Sequence, residues 1–579
     1  MRTAIPSLPQ PDQPLPALAP PAPVRRYPRR ARRGTAAVMA VLVPAAAMLG
    51  TGLWGLDRGT LWRDEATTFQ AAQRTLPQMW QLLGGVDAVH GLYYLLMHAV
   101  LAARPDEVTL RLPSLLAAVC TAGLVGALGR RLIRPRAGLW AGLLYAGTPI
   151  VSRYAQEGRS YALVAAGAAL ATLLLVRAVE YGSARRWAAY GAATAVTALL
   201  HEFAVLLLAA HAVTLLASRV PPRTRRCWAA AAGATVAVLL PLVVLSRRQD
   251  GQVSWIRASG RRDAVALLYD FAGPSGLVLA VNLLLIAAAL IRPLPRDGFL
   301  GPVAVALPLA VVPPVLLLAV SRWEPLFVDR YVLFALAGVP LLVAAGAEAL
   351  LRGVRPLRLL RRQRPVALAG AAAVGAAFLW QLPLHERARQ PAGRQDDLAA
   401  VAALVREETR PGDALLFVPS HQRRVALAYP RDFAGRRDLA LSAPVAPSGT
   451  LEGREVQPGE LRERLGGADR VWVVAVPGVE DQPWFRGSRR EQAKLTALRE
   501  HFTEVSAARV RSGTVALHVR DGLRTDVRTH VRTDVRTQGR TQGRDGVRTG
   551  APGGAREGVR SGARNGAHAG RTADQAKHG

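Results

Sequence analysis

Two neighbouring acids, Asp64 and Glu65, follow directly on the first long apolar stretch, within Leu61-Trp62-Arg63-Asp64-Glu65-Ala66-Thr67-Thr68. Ionised side chains are costly to hold beside hydrocarbon and usually carry a function where they occur. A carboxylate in that position can take a proton from a hydroxyl nucleophile. Two later stretches add cations and hydroxyls: Ser152-Arg153-Tyr154-Ala155-Gln156-Glu157-Gly158-Arg159-Ser160-Tyr161 and Asp329-Arg330-Tyr331. Guanidinium groups meet phosphate through a planar fork, and tyrosine supplies a further donor. The candidate chemistry is therefore a base at Asp64, partnered by Glu65, with Arg153, Arg159, Arg330 and Tyr331 facing a phosphate-bearing group.

Each of these residues also has a plainer reading. On a helix, adjacent side chains point about 100° apart, so Asp64 and Glu65 cannot both face one substrate atom. One is expected to be catalytic and the other structural. Alternatively, Asp64 caps a helix running from Glu65 to Arg74, with Glu65 in its first turn. Single arginines at helix ends are commonly snorkelling anchors. Three on the side where basic residues are disfavoured are harder to explain that way. Asp87 and His90 precede a short apolar helix, Gly91 to Leu101, that carries Tyr94 and His98, and His201-Glu202 interrupts a later apolar run. With Tyr154, Gln156 and Glu157 these complete the expected substrate-binding set. No H-E-x-x-H pattern or similar cluster points to a metal, and no glycine-rich phosphate loop is present.

The elements that must position these residues are membrane helices. Half of the 579 residues are hydrophobic and the formal charge is +33. The apolar residues fall into Ala/Leu/Val runs near the span length of about 20 residues. Arginines punctuate these spans and are not interleaved with exposed aromatics on one face, so bilayer orientation explains the charge better than nucleic-acid binding. Cys120 and Cys227 have no metal-ligand spacing and predict neither a disulfide nor a zinc site.

Arginine-rich loops at 130–136, 185–186, 219–226, 292–296 and 352–364 alternate with less basic ones at 57–111, 152–159, 201–202, 247–274 and 321–330. By the positive-inside rule the first set is cytoplasmic and the second is not. About eleven spans of the usual length result: 35–56, 112–129, 137–151, 160–179, 187–200, 202–218, 227–246, 275–291, 299–320, 331–350 and 365–383. The first outer loop is expected to hold two interfacial helices, one starting near Glu65 and one over 91–101.

The chain thus divides into a basic, proline-rich cytoplasmic tail (1–34), a transmembrane domain (35–384), a small extracytoplasmic α/β domain (385–520) and a low-complexity tail (521–579). Both tails are predicted to be disordered. Within the α/β domain, periodicity predicts a helix from Asp396 to Thr409, strands at 414–418 and 471–476, and a helix over 491–501.

The order of these motifs resembles the GT-C glycosyltransferases. The acidic pair comes first, then Leu92-Tyr93-Tyr94-Leu95-Leu96-Met97-His98 and Leu110-Arg111-Leu112-Pro113-Ser114, then the Arg153–Tyr161 loop and the late Arg330-Tyr331. Within that superfamily the chain looks most like family 39, the protein O-mannosyltransferase-like enzymes, in an Ala/Arg-rich actinobacterial style. Related members often have Pro-Pro where this chain has His90-Gly91. The resemblance implies a multi-pass cell-membrane enzyme with a cytoplasmic N-terminus. It would move a sugar, with mannose the first to consider, from a polyprenyl-phosphate donor to an extracytoplasmic glycan, lipid or protein hydroxyl. Asp64 would be the base and the product would be inverted. No cofactor is required by this reading, and a divalent cation is left open. The rival readings are a transporter or flippase of lipid-linked glycans, or a scaffold binding cell-wall polymer. A transporter should show related halves and a midplane site, which the sequence lacks by inspection.

Overall fold

A computed structural model describes residues 34–253, 256–295, 298–353 and 363–522. Both predicted tails and most of the 352–364 basic cluster lie outside the described residues.

The membrane region begins with α1 (Thr35–Leu53), after which three short helices follow: α2 (Arg63–Ala72), α3 (Leu76–Gly85) and α4 (Gly91–Leu101). The first loop therefore carries three helices where two were expected. The extra one, α3, starts with a reciprocal cap between Thr75 and Gln78, a pattern that satisfies two free backbone donors. Next come α5 (Glu107–Leu132), α6 (Pro135–Ala146), α7 (Pro149–Tyr154), α8 (Tyr161–Tyr181) and α9 (Ala184–Leu200). They are followed by α10 (Leu206–Ala217), α11 (Pro222–Arg247), α12 (Arg261–Ala272), α13 (Gly276–Ile291) and α14 (Pro302–Val320). The set ends with a 3-10 turn at Asp329–Ala337, α15 (Gly338–Gly353), α16 (Gln363–Trp380) and α17 (Leu382–Arg389).

Every one of the eleven expected segments coincides with a helix. Among the described residues, however, six helices are long and apolar enough to cross a membrane alone, or up to eight if each bent pair counts as one span. The shortfall arises where the chain breaks. The 137–151 segment ends at Gly147 and restarts at Pro149, and the chain breaks again at His201 between α9, with 17 residues, and α10, with 12. The bent pair of α12 and α13 meets at 81° across Gly273-Pro274.

Small residues let the first helices approach closely. A Cβ at Gly126 of α5 would sit 2.0 Å from the Ala40 carbonyl of α1, and one at Gly142 of α6 would sit 2.6 Å from Pro44. With no apolar driving force between helices in lipid, such backbone proximity is how they associate. At the other end of α6, Arg136 donates to buried Glu348 of α15 at 2.9 and 3.1 Å. That pair ties the start of the bundle to its end.

Beyond α17, α18 (Leu398–Glu408) is capped by Asp397, which accepts from Ala400 N–H at 3.0 Å. A five-stranded sheet then runs in the order β2-β1-β5-β7-β6, where β1 is Ala414–Val418, β2 Arg437–Asp438, β5 Arg470–Ala475, β6 Phe502–Val510 and β7 Gly513–Arg520. β3 (Leu441–Ala443) and β4 (Arg454–Glu455) form a separate pair. β1 is parallel to β2 and β5, and β7 is antiparallel to β5 and β6. Leu416, Val418, Val471 and Val473 pack with Leu461, Leu465 and Leu498 in its core. The helix over 396–409, the strands at 414–418 and 471–476 and the helix over 491–501 are all present, each within about two residues.

Candidate active site

The α1–α5 connection holds its acidic pair in two different ways. Glu65 is fully buried and receives Arg111 Nε at 3.0 Å and Nη2 at 3.2 Å. The Gly158 N–H adds a third bond at 2.9 Å. Desolvation pushes the Glu65 carboxyl up, but the Arg111 charge and these donors outweigh it and hold the group below the usual range. Arg111 also donates to the Leu56 and Thr60 carbonyls at 3.1 and 3.2 Å, which fixes the loop leading into α2. Glu65, expected among the catalytic residues, is thus occupied as a structural anchor.

Asp64 is one residue earlier and is not a helix cap, because Trp62 occupies the N-cap position. The capping alternative is corrected on this point. The Asp64 side chain keeps 26% of its surface exposed, and its Oδ2 lies 3.6 Å from Arg330 Nη2. Arg330 comes from the turn before α15, is itself buried, and donates from Nε to the Tyr161 hydroxyl at 3.1 Å. Its guanidinium lies 5.6 to 5.8 Å from the ring centroids of Trp62, Tyr161 and Tyr331. Such an aromatic box fixes a cation without neutralising it.

Arg159 enters from the other side. Its Nη1 donates to the Asp64 carbonyl at 3.4 Å and to the Thr68 hydroxyl at 3.2 Å, and its Nη2 meets His90 Nε2 at 2.6 Å. Arginine can only donate, so His90 accepts at Nε2 and carries its proton on Nδ1. His201 packs its ring 4.7 Å from Tyr331, 5.7 Å from Tyr161 and 5.9 Å from His90. The Tyr94 ring lies tilted 5.9 Å from that of His90, and its hydroxyl donates to Asp87 at 2.7 Å. Segments from four parts of the chain therefore meet at Asp64.

Other expected residues are engaged with different partners. Arg153 lies over the Tyr154 ring at 5.6 Å and does not reach Asp64 among the described contacts. Tyr154 donates to Asp329 at 3.5 Å. Gln156 donates to the Gly52 and Trp54 carbonyls at 2.8 and 2.9 Å, bracing the end of α1. His98 Nδ1 bonds the Ala72 carbonyl at 2.8 Å and so pins α4 to α2. Glu202 accepts from the Ser246 hydroxyl at 2.7 Å. Burial raises the Glu157 carboxyl to about 7, against the opposing pull of Arg153. Among the described residues no group of three or more His, Cys, Asp or Glu side chains is placed to hold a metal ion.

Four residues at the centre were not among the expected site residues: Arg111, Trp62, Thr68 and Tyr161. Arg111 had a readable signal, since it is an arginine at the outer end of a predicted span, where basic residues are disfavoured. Trp62, Thr68 and Tyr161 lie inside the quoted motifs, with nothing to single them out from their neighbours.

Residues 90–246 match the family described as dolichyl-phosphate-mannose-protein mannosyltransferase. No curated protein matches the chain in sequence. Among solved structures, ArnT from Cupriavidus metallidurans in the apo state is similar at 14% identity and a TM-score of 0.51, covering 83% of this chain and 98% of that one. The same protein bound to undecaprenyl phosphate gives 14% and 0.51, with coverage of 82% and 97%. The archaeal oligosaccharyltransferase AglB from Archaeoglobus fulgidus, in complex with an inhibitory peptide and a dolichol-phosphate, is 11% identical with a TM-score of 0.46, covering 81% and 72%. The chain shares the fold of ArnT, and the family match spans the stretch that carries His90, Arg111, Arg159 and His201.

Proposed function

We propose that the protein transfers a sugar from a polyprenyl-phosphate donor to an acceptor hydroxyl on the extracytoplasmic side of the membrane, with inversion at the anomeric carbon. The observation that carries this reading is the Asp64 carboxylate 3.6 Å from buried Arg330, with Arg159 hydrogen-bonded to the Asp64 backbone. Asp64 removes the acceptor proton as the new glycosidic bond forms. The bond from the anomeric carbon to the phosphate oxygen breaks, and the electron pair leaves with the lipid phosphate. Arg330 and Arg159 stabilise the charge that develops on that phosphate. The leaving group needs no proton, so a single carboxylate serves, and Glu65 positions the helix.

Support for a lipid-phosphate donor comes from the fold shared with ArnT, which has been seen with undecaprenyl phosphate bound, and from the family match over residues 90–246. Mannose is the first sugar to test on the strength of that match. His90, His201 and Tyr331 border the same space and are the candidates for contact with the sugar ring. Arg153 is left for the outer approach to the site.

The test is to incubate purified protein in lipid nanodiscs with radiolabelled undecaprenyl-phosphate mannose, glucose, galactose and arabinose, together with cell-envelope glycan and peptide acceptors. Transfer from at least one donor, lost in Asp64→Asn, supports the reading. No transfer from any, with intact folded protein, overturns it.

A further inference from the structure

Helix α2 carries Asp64 but has no local cap, since the Trp62 side chain accepts nothing from its first turn. The missing acceptor comes from 333 residues further along the chain. Asp396 Oδ2 accepts the Arg63 backbone N–H at 3.3 Å and Arg63 Nε–H at 2.9 Å, while Oδ1 accepts Nη2–H at 3.2 Å. Leu398 N–H donates to the Leu61 carbonyl at 3.4 Å. The Tyr429 hydroxyl accepts the Leu61 N–H at 3.1 Å and donates to Glu107 at 2.8 Å. At the other end of the helix, Gln70 and Arg74 donate to the Leu451 and Thr450 carbonyls at 3.1 and 2.5 Å. Both ends of α2 are therefore held by residues 396–451, none of which belongs to the membrane bundle.

The Arg63–Asp396 contact has a second consequence. Arg63 is adjacent to Asp64, its side chain is 53% exposed, and both Asp396 and Asp64 attract it. Asp64 already faces Arg330 at 3.6 Å, Arg159 through its backbone, and the Tyr161 and Tyr331 hydroxyl groups. Another cation on its carboxylate would make it a weaker proton acceptor. An opposite charge within about 4–6 Å stabilises the ionised form by about 1–3 pH units.

Resting on the reading of Asp64 as the base, we propose that Asp396 is a positioning residue for it. Asp396 caps the helix that carries the base and keeps Arg63 engaged away from the base's carboxylate. The α/β layer is then part of the reaction machinery, and a bundle without it would hold a quenched base.

The test uses full-length protein in nanodiscs and needs no turnover. Dicyclohexylcarbodiimide modifies carboxyl groups in their protonated form, so the extent of Asp64 labelling against pH, read by mass spectrometry, reports its titration. Asp396→Asn keeps an oxygen for the Arg63 N–H but loses the charge. It should move the labelling midpoint down by about one pH unit, and the double variant Arg63→Gln/Asp396→Asn should move it back. Asp396→Glu should keep the wild-type midpoint. An unmoved midpoint in Asp396→Asn, or a double variant that stays displaced, overturns the proposal. In the transfer assay, Asp396→Asn should lower kcat about tenfold with donor KM within about twofold, and the double variant should recover most of it. A change in KM alone overturns it too. If the wild-type protein transfers no sugar at all, the function reading fails, and the labelling result still decides this one.

Discussion

Asp64 and Glu65 are neighbours in the chain and each faces an arginine, yet the fold buries one completely and leaves the other partly exposed. Glu65 is sealed against Arg111 with three donors on its carboxylate, whereas Asp64 stays partly open beside an arginine at 3.6 Å. The helical offset of about 100° between successive residues produces this division. Two carboxylates whose environments differ in this way can hold different roles. One fixes the loop, and the other keeps an open face beside Arg330.

Asp64→Asn should abolish transfer. Removing a positioned base loses about 10²–10⁴-fold in rate, and the amide keeps the shape of the side chain. Detergent-solubilised protein should elute and melt as wild type, with only the kcat of labelled-sugar transfer affected. Transfer at more than about a tenth of the wild-type rate would exclude Asp64 as the base.

Glu65 and Arg111 should behave as a stability element. Removing one partner of a buried pair costs about 3–5 kcal/mol, because the other charge is left uncompensated. Glu65→Gln and Arg111→Ala should each lower the melting temperature by several degrees. The paired change Glu65→Leu/Arg111→Met should recover most of the loss. Melts by intrinsic fluorescence in nanodiscs would decide it, and additive losses in the double variant would count against a coupled pair.

Much of this site was legible in the sequence because its chemistry is carried by residue types that a bilayer tolerates poorly. Asp64, Arg159, Arg330, His90 and His201 each interrupt or border an apolar run, and each lies at the structural centre. Arg153, Gln156 and Glu202 gave the same signal, but they are engaged with Tyr154, with the end of α1 and with Ser246. Spacing shows that a polar group sits near a membrane surface, not which partner satisfies it. The helices were readable from apolar length. The α6–α7 break and the 81° bend at Gly273 were not, since apolar length runs straight through the Gly147-Thr148-Pro149 and Gly273-Pro274 breakers that mark them. The Asp396 cap was beyond reach, because no local pattern relates two positions so far apart in the chain.

Arg330→Lys tests whether charge alone is enough. Lysine keeps the positive charge but loses the planar fork and the broad stacking surface that Trp62, Tyr161 and Tyr331 enclose. Arg330→Lys should reduce kcat by about tenfold, and Arg330→Ala by about 10²–10³-fold, the range for losing a donor to a developing anion. Single-turnover measurements with labelled donor would separate this from a binding defect. Equal rates for the lysine variant and wild type would show that the fork is not used.

Glu157 gives the fold a dependence on pH that is separate from the reaction. Its carboxyl is buried between α7 and α8, and desolvation raises it from 4.5 to about 7. The folded state therefore binds a proton that the unfolded state releases between those two values. A raised folded value means the contribution is fully present below about pH 4.5 and is lost as pH rises through about 7. Its size is on the order of 3 kcal/mol, at about 1.4 kcal/mol per unit. Glu157→Gln mimics the protonated group and should remove this slope. The variant should melt close to wild type at pH 5 and several degrees above it at pH 8. Parallel melting curves for the two proteins from pH 5 to 8 would mean that Glu157 is already ionised in the folded protein.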